Sequence, residues 1–300
     1  MKITDARWFR ILHGMWTVIS ERHIGLISSG VAFWTMFSIF PGVAALISLF
    51  GFLADPVVIE QQMQLLAEFV PQDAYAVLQA QVRALLRARE TTLGWTTAIS
   101  LGAALWTARL GVAALMRGLN AVAGTELRAG VMEIVVALLL TLALIAVGII
   151  ALASLVVVPV ILAFAPVGPV AGLLLSVLRW AIAVGALVFG IGLLYRYGPN
   201  TPLKRAPWLS PGLVLSVVIW AGASVGLSFY LSNFGNYNEI YGSIGAVIAL
   251  LMWLYLSAYA VLVGFCLNTE LGHVAANERR HEDLLAPCPD EGEGQRAAAQ

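Results

Sequence analysis

Polar positions in this chain are confined to short stretches, and six long apolar runs lie between them, at 25–54, 94–116, 131–160, 170–195, 211–232 and 243–268. A helix needs about 20 apolar residues to cross a hydrocarbon core of ~30 Å. Each run meets that requirement, and the longer ones allow tilt. In lipid, only helices and closed barrels satisfy their own backbone hydrogen bonds. These runs are too long and too continuous for the alternating strands of a barrel. The pattern therefore predicts an all-α polytopic membrane helix bundle of about six transmembrane helices. The first run is also too long for the core of a signal peptide, so it reads as a membrane span with no cleavable leader before it.

The segments between the runs carry their own patterns. In residues 1–24, Trp8, Leu12, Met15 and Ile19 share one helical face, with Arg7, Arg10 and Glu21 off it and Asp5 placed to cap the start. This predicts an amphipathic helix on the cytoplasmic face, lying in the membrane interface or packed on cytoplasmic loops. Between the first two runs, Tyr75, Leu78, Val82 and Leu85 make a second stripe, with Arg83, Arg87 and Glu90 off it. Pro71 separates it from an earlier helical pattern at 57–70, so 55–93 reads as an external helical hairpin. The transmembrane domain then extends over 25–275. Residues 276–300 are polar and rich in Glu, Pro, Gly and Ala, which predicts a disordered cytoplasmic tail.

Composition strengthens this picture. The chain is 60% hydrophobic and 11% charged, against about 25% charged in an average soluble domain. Its net charge is zero, so no basic field for nucleic acid exists and no nucleic-acid partner is expected. The Lys and Arg positions set an orientation. Lys2, Arg7, Arg10, Arg22, Arg117, Arg128, Arg196, Lys204, Arg205, Arg279, Arg280 and Arg296 all fall on one side of a six-span chain. The turns at 161–169 and 233–242 carry neither residue type. Both termini are thus expected in the cytoplasm, with the hairpin as the outer exception. Cys266 lies in an apolar run and Cys288 in the polar tail, so they are not expected to pair.

Chemistry is sparse. A charge within lipid is expensive and usually faces the protein interior. Arg109 in the second span and Arg179 in the fourth are the two such arginines, with Glu133 and Glu270 at span ends. They line a polar cavity that binds an anionic group, or they snorkel and pair structurally. Ser216, Trp220, Ser224, Ser228 and Ser232 recur every four residues in the fifth span, as a hydrophilic track or as serines bonded to backbone and neighbouring helices. Ala103, Thr107 and Gly111, and Gly222 with Gly226, offer small faces for helix packing. Pro41 and Pro159 interrupt the first and third spans, as in broken transporter helices or as plain kinks. No phosphate loop, HExxH or GxSxG occurs, and His13, His23, His273 and His281 lack metal-ligand spacing. Neither a metal nor a cofactor is expected, and the chain does not read as an enzyme.

Several segments together resemble one family. Ala32-Phe33-Trp34 through Phe40-Pro41, Trp106-Thr107-Ala108-Arg109 with Leu119-Asn120, and Leu194-Tyr195-Arg196-Tyr197-Gly198-Pro199-Asn200 are three of its elements. Pro211-Gly212 with Trp220, Phe229-Tyr230, Tyr241-Gly242-Ser243-Ile244-Gly245, Trp253-Leu254-Tyr255 and Gly264 to Asn268 and Leu271 complete the set. The ordered set resembles the YihY/BrkB family of bacterial inner-membrane proteins, some formerly mislabelled ribonuclease BN. Where that family usually has Glu, this chain has Cys266, so any role of that carboxylate falls to Glu270 or is absent. The resemblance implies an integral inner-membrane protein embedded in the lipid bilayer. It also implies a transporter or flippase-like exporter of a lipid or small solute, with a non-transporting envelope scaffold as the alternative. Ribonuclease activity finds no support in these residues. Arg109, Arg179, Tyr195, Asn200, Ser224, Tyr241 and Glu270 are the candidate substrate-cavity residues. A homo-oligomer is compatible with the pattern but not specified by it.

Overall fold

The structure is a computed structural model, and it describes residues 2–53, 93–164, 169–201, 207–233 and 243–285. Seven helices account for nearly all of these residues: α1 Lys2–Glu21, α2 Ile24–Leu53, α3 Leu93–Ala123, α4 Gly130–Phe164, α5 Pro169–Tyr197, α6 Pro211–Asn233 and α7 Ser243–Leu285. Six of them, α2 to α7, are long and apolar enough to cross a membrane. Each expected run appears as one helix. The external hairpin at 55–93, Tyr241 and Gly242 lie outside the described residues, apart from Leu93 at the start of α3.

Two boundaries differ from expectation. First, α1 begins at Lys2, so Asp5 lies inside its first turns rather than at its cap. Second, α7 continues to Leu285, well into the segment expected as a polar tail. Residues 275–285 are rich in good helix formers, and the extension has a packing partner. Helix α1 lies along it, and Arg7 reaches Glu278 at 3.5 Å. An exposed pair of this kind contributes little. The apolar face of α1 does more, since Ile11 and Met15 are buried in the same cluster as Val274. The stripe read from sequence is split by this packing. Met15 faces inward, while Trp8 and Leu12, with Phe9 and Trp16, stay exposed.

The helices pack chiefly as antiparallel neighbours, α2 on α3, α4 on α5 and α6 on α7, while α7 also touches α1, α2 and α3. Gly111 of α3 meets Thr35 of α2, and Gly118 meets Ile27, which fixes the antiparallel register of that pair. Buried residues gather at one end of the bundle, the end that carries the basic connections. There lie Ile24, Ser28 and Val31 of α2, Ala113 to Val122 of α3, Ala137 to Thr141 of α4, Ile191 to Tyr195 of α5, Leu213 and Ser216 of α6, and Ala258 to Cys266 of α7. Further from that end, fewer of the residues whose burial is described are buried, Arg109, Ser154, Leu227 and Gly245 among them. The buried, hydrogen-bonded residues at the basic end form a collar around the helix ends.

Candidate functional site

The family-like motifs, scattered over the sequence, meet in the collar. Helix α3 stops at Ala123, and the next residue, Gly124, has the φ of +65° that suits the position after a helix end. Asn120, four residues before it, is the hub. Its Nδ2 donates to Met116 O at 2.9 Å. Its Oδ1 accepts Thr125 Oγ1 at 2.9 Å and the backbone N–H of Asn200 at 2.7 Å. Asn200 returns the contact by donating from Nδ2 to Glu126 O at 3.2 Å. So the two asparagines lock the α3–α4 turn to the segment after α5.

Arg128, in the same turn, closes the end of α5. Its Nη1 donates to Gly198 O at 2.7 Å, and its Nη2 to Pro199 O at 2.8 Å and Tyr197 O at 3.1 Å. These carbonyls lie at and just beyond the negative end of the α5 dipole, where a cation is stabilising. Partial burial lowers the Arg128 pKa from its ordinary value. Arg117 pairs with Glu133 at 2.9 Å on the neighbouring helices.

Helix α6 starts in an equally well-satisfied cap. Ser210 is its N-cap, with Leu213 N–H donating to Ser210 Oγ at 3.3 Å, and Pro211 occupies the first turn, where its missing N–H costs nothing. Asn268 of α7 accepts the Gly212 N–H at 2.8 Å and donates to Ser210 Oγ at 2.8 Å. Next to it α6 and α7 cross with backbones in contact. A Cβ on Gly212 would run into Gly264 O, and one on Gly264 into Ser216 Oγ and Gly212 O. The buried carbonyl edge of α7 takes extra bonds from neighbouring hydroxyls, Tyr195 Oη to Val261 O at 2.7 Å and Ser216 Oγ to Ala260 O at 3.0 Å. The two hydroxyls also touch each other at 2.5 Å.

Further along the same seam, two tryptophans and two serines exchange bonds. Trp220 Nε1 donates to Ser257 Oγ and Trp253 Nε1 to Ser224 Oγ, each at 3.2 Å. Ser216, Trp220 and Ser224 are therefore stitches between α6 and α7, not a hydrophilic track. The small-residue readings divide as well. Gly111 makes a close helix contact, whereas Gly222 and Gly226 face open space and Thr107 bonds back to Ala103 and Ala104.

The intramembrane arginines stand apart from this network. Arg109 is only 7% exposed, on the α3 face that carries Ala113 and Met116 against Ala137 and Leu140 of α4. Its Nε is buried with no hydrogen-bond partner, and its guanidinium stacks 4.3 Å from the Trp106 ring centroid. Arg179 is half-buried, with a buried, unbonded Nε and a looser stack of 5.7 Å on Trp180. Leu119 and Gly198 touch in the collar. At 1.5 Å per residue, Arg109 lies about 15 Å and Arg179 about 28 Å along their helices from that contact.

The sequence-predicted residues thus fall into separate places. Tyr195, Asn120, Asn200, Pro199, Gly212, Gly264 and Asn268 belong to the collar. Trp220, Ser224 and Trp253 belong to the α6–α7 seam. Arg196 stacks on Trp208, which lies between α5 and α6. Glu270 packs against Gly14 of α1 and lies 3.7 Å from His273, while Cys266 is buried against Met15 O. Pro41 is half-buried within a continuous α2, and Trp106 on α3 and Tyr230 on α6 are exposed. Of Arg109, Arg179, Tyr195 and Tyr241, expected around one cavity, Tyr195 and Arg179 lie about 24 Å apart along α5, and Tyr241 lies outside the described residues. Arg128 is the residue that sequence reading counted only as loop charge. No pattern could have shown its role, since its acceptors lie some seventy positions away. Among the described residues no group of three or more His, Cys, Asp or Glu side chains could hold a metal ion.

Comparison with known proteins agrees with this architecture. The family described as Virulence factor BrkB matches residues 15–286. The ribonuclease-like protein YfkH of Bacillus subtilis is 30% identical over 254 residues, 81% of this chain and 88% of that protein. A UPF0761 membrane protein of Xanthomonas campestris is 37% identical over 98 residues, which are 32% of this chain and 23% of that protein. One from Tolumonas auensis is 32% identical over 111 residues, 37% of this chain and 35% of its own length. No solved structure matches.

Proposed function

The chain belongs to the Virulence factor BrkB family of membrane proteins, and from that premise we propose that it moves a lipid or small solute across the membrane, as a transporter or flippase-like exporter. The observation that carries this reading is Arg109, a buried cation in the middle of a span with no acceptor for its Nε. Such a group is costly in a purely structural bundle, and intramembrane charges mark substrate or ion paths. The packing asymmetry supports the same reading. A collar fixed by hydrogen bonds supplies one rigid end for the bundle, and alternating access needs one rigid and one movable portion. The distribution of Lys and Arg supports an orientation with the basic end and both termini in the cytoplasm of a bacterial inner membrane and the 55–93 hairpin outside.

Reconstitution tests the reading. Proteoliposomes holding the full chain should speed dithionite bleaching of an inner-leaflet fluorescent phospholipid, or release a trapped osmolyte, above protein-free vesicles. Rates equal to empty vesicles across lipids and osmolytes would favour the second reading, a non-transporting envelope scaffold. The open Gly222–Gly226 face of α6 favours that alternative, because it offers a small-residue surface to another membrane helix. The word ribonuclease in the name of YfkH belongs to that protein and is not carried over to this chain.

A further inference from the structure

Among the described residues, nothing neutralises Arg109. The described part of α2 holds no charged residue. On α3 and α4 the acidic group is Glu133, already bound to Arg117 two turns nearer the collar. On α5 the charges are Arg179 and Arg196, and α7 carries none before Glu270. An unpaired cation in this setting is a standing cost.

The companion of each intramembrane arginine is also unusual. Trp106 is 55% exposed and Trp180 is 59% exposed, well inside their spans, whereas membrane tryptophans ordinarily sit at the interface. Both guanidiniums therefore rest on a ring that is itself more than half exposed. We propose that Arg109 anchors an oxyanion site reached sideways from the bilayer, and that its ligand is the phosphate or carboxylate of an anionic amphiphile whose tail stays in lipid. The planar fork of arginine matches both oxyanions. Trp106 is the group that moves aside to admit the headgroup, and Arg179 is a second station about 13 Å further along the bundle. This names the substrate chemistry of the transport reading above and rests on it.

The test measures binding rather than transport. The full chain, washed in a neutral maltoside detergent, is titrated with dihexanoyl phosphatidylglycerol, with dihexanoylglycerol and with inorganic phosphate. Only the first should bind and raise the melting temperature. Arg109→Met should weaken that binding about tenfold or more, the loss of a charge-assisted contact. It should also raise the melting temperature of the ligand-free protein, because it removes a buried unpaired charge. Arg109→Lys should keep part of the binding. Equal binding of free phosphate would overturn the amphiphile, and equal binding of dihexanoylglycerol would overturn the oxyanion. A lower melting temperature in Arg109→Met with binding intact would make Arg109 a structural residue. The two proposals fail separately. Binding without movement in vesicles leaves the site standing, while movement undiminished in Arg109→Met removes the site and leaves the function.

Discussion

Asn120 shows what a single residue contributes when its partners are backbone groups from elsewhere. Its carbonyl oxygen serves Thr125 and Asn200 together, and its amide serves Met116. Replacing it with alanine strands the Asn200 N–H inside the collar, a loss of about 1–3 kcal/mol. Asn120→Asp keeps the acceptor and should cost less, so the ranking of the two melting temperatures checks the role. Arg128→Ala should lower stability by a similar amount, about 1–3 kcal/mol, by uncapping α5. Arg128→Lys should recover only part of that, because an ammonium cannot span three carbonyls as a fork does. A lysine variant as stable as wild type would mean that only the charge matters. The sequence displayed Asn120 and Asn200 as parts of motifs, yet it could not display their pairing. A hydrogen bond between positions 80 apart leaves no periodicity behind, and the same holds for Asn268 at the α6 cap.

At the scale of the helix, length and composition were enough to find all six spans, because bilayer thickness imposes them. Which glycines matter was not legible. Gly222 and Gly226 have the spacing that signals close packing, and they face open space. Gly212 and Gly264 lie 52 positions apart, share no local pattern, and form the tightest crossing. Substitution should therefore give effects of opposite sign. Gly264→Ala forces a Cβ into Ser216 Oγ and the Gly212 carbonyl, and should destabilise by about 1–3 kcal/mol. Gly222→Ala meets nothing and trades glycine for a better helix former, a gain of about 0.5–1 kcal/mol. Melting of both variants in the same detergent checks the contrast. The serine ridge of α6 follows the same logic. Four-residue spacing identified a face, while only the neighbouring Ser257 and Trp253 of α7 decide that this face is bonded rather than wet.

For the whole molecule, the hydrogen-bonded collar at the basic end is the property with most consequence for function. It was invisible in the sequence because both halves are built from the same apolar residues. Burial depends on where polar side chains tie the helices together, and those ties concentrate around Asn120, Arg128, Asn200 and Asn268. Helices α5 and α6 illustrate the result. They touch at the collar, where Gly192 meets Trp208 and Leu213 and Tyr195 meets Ser216, while Val177 and Val225 beyond it are both exposed. Spin labels placed at Val177 and Val225 should give a broad distance distribution in pulsed resonance, and one that changes when an anionic amphiphile is added. Labels at Phe189 and Val214, near the collar, should give a narrow distribution that stays fixed. Two equally narrow distributions would mean that the bundle is one rigid body. A headgroup could then reach Arg109 only by local motion of Trp106, and the parting of helices would drop out of the mechanism.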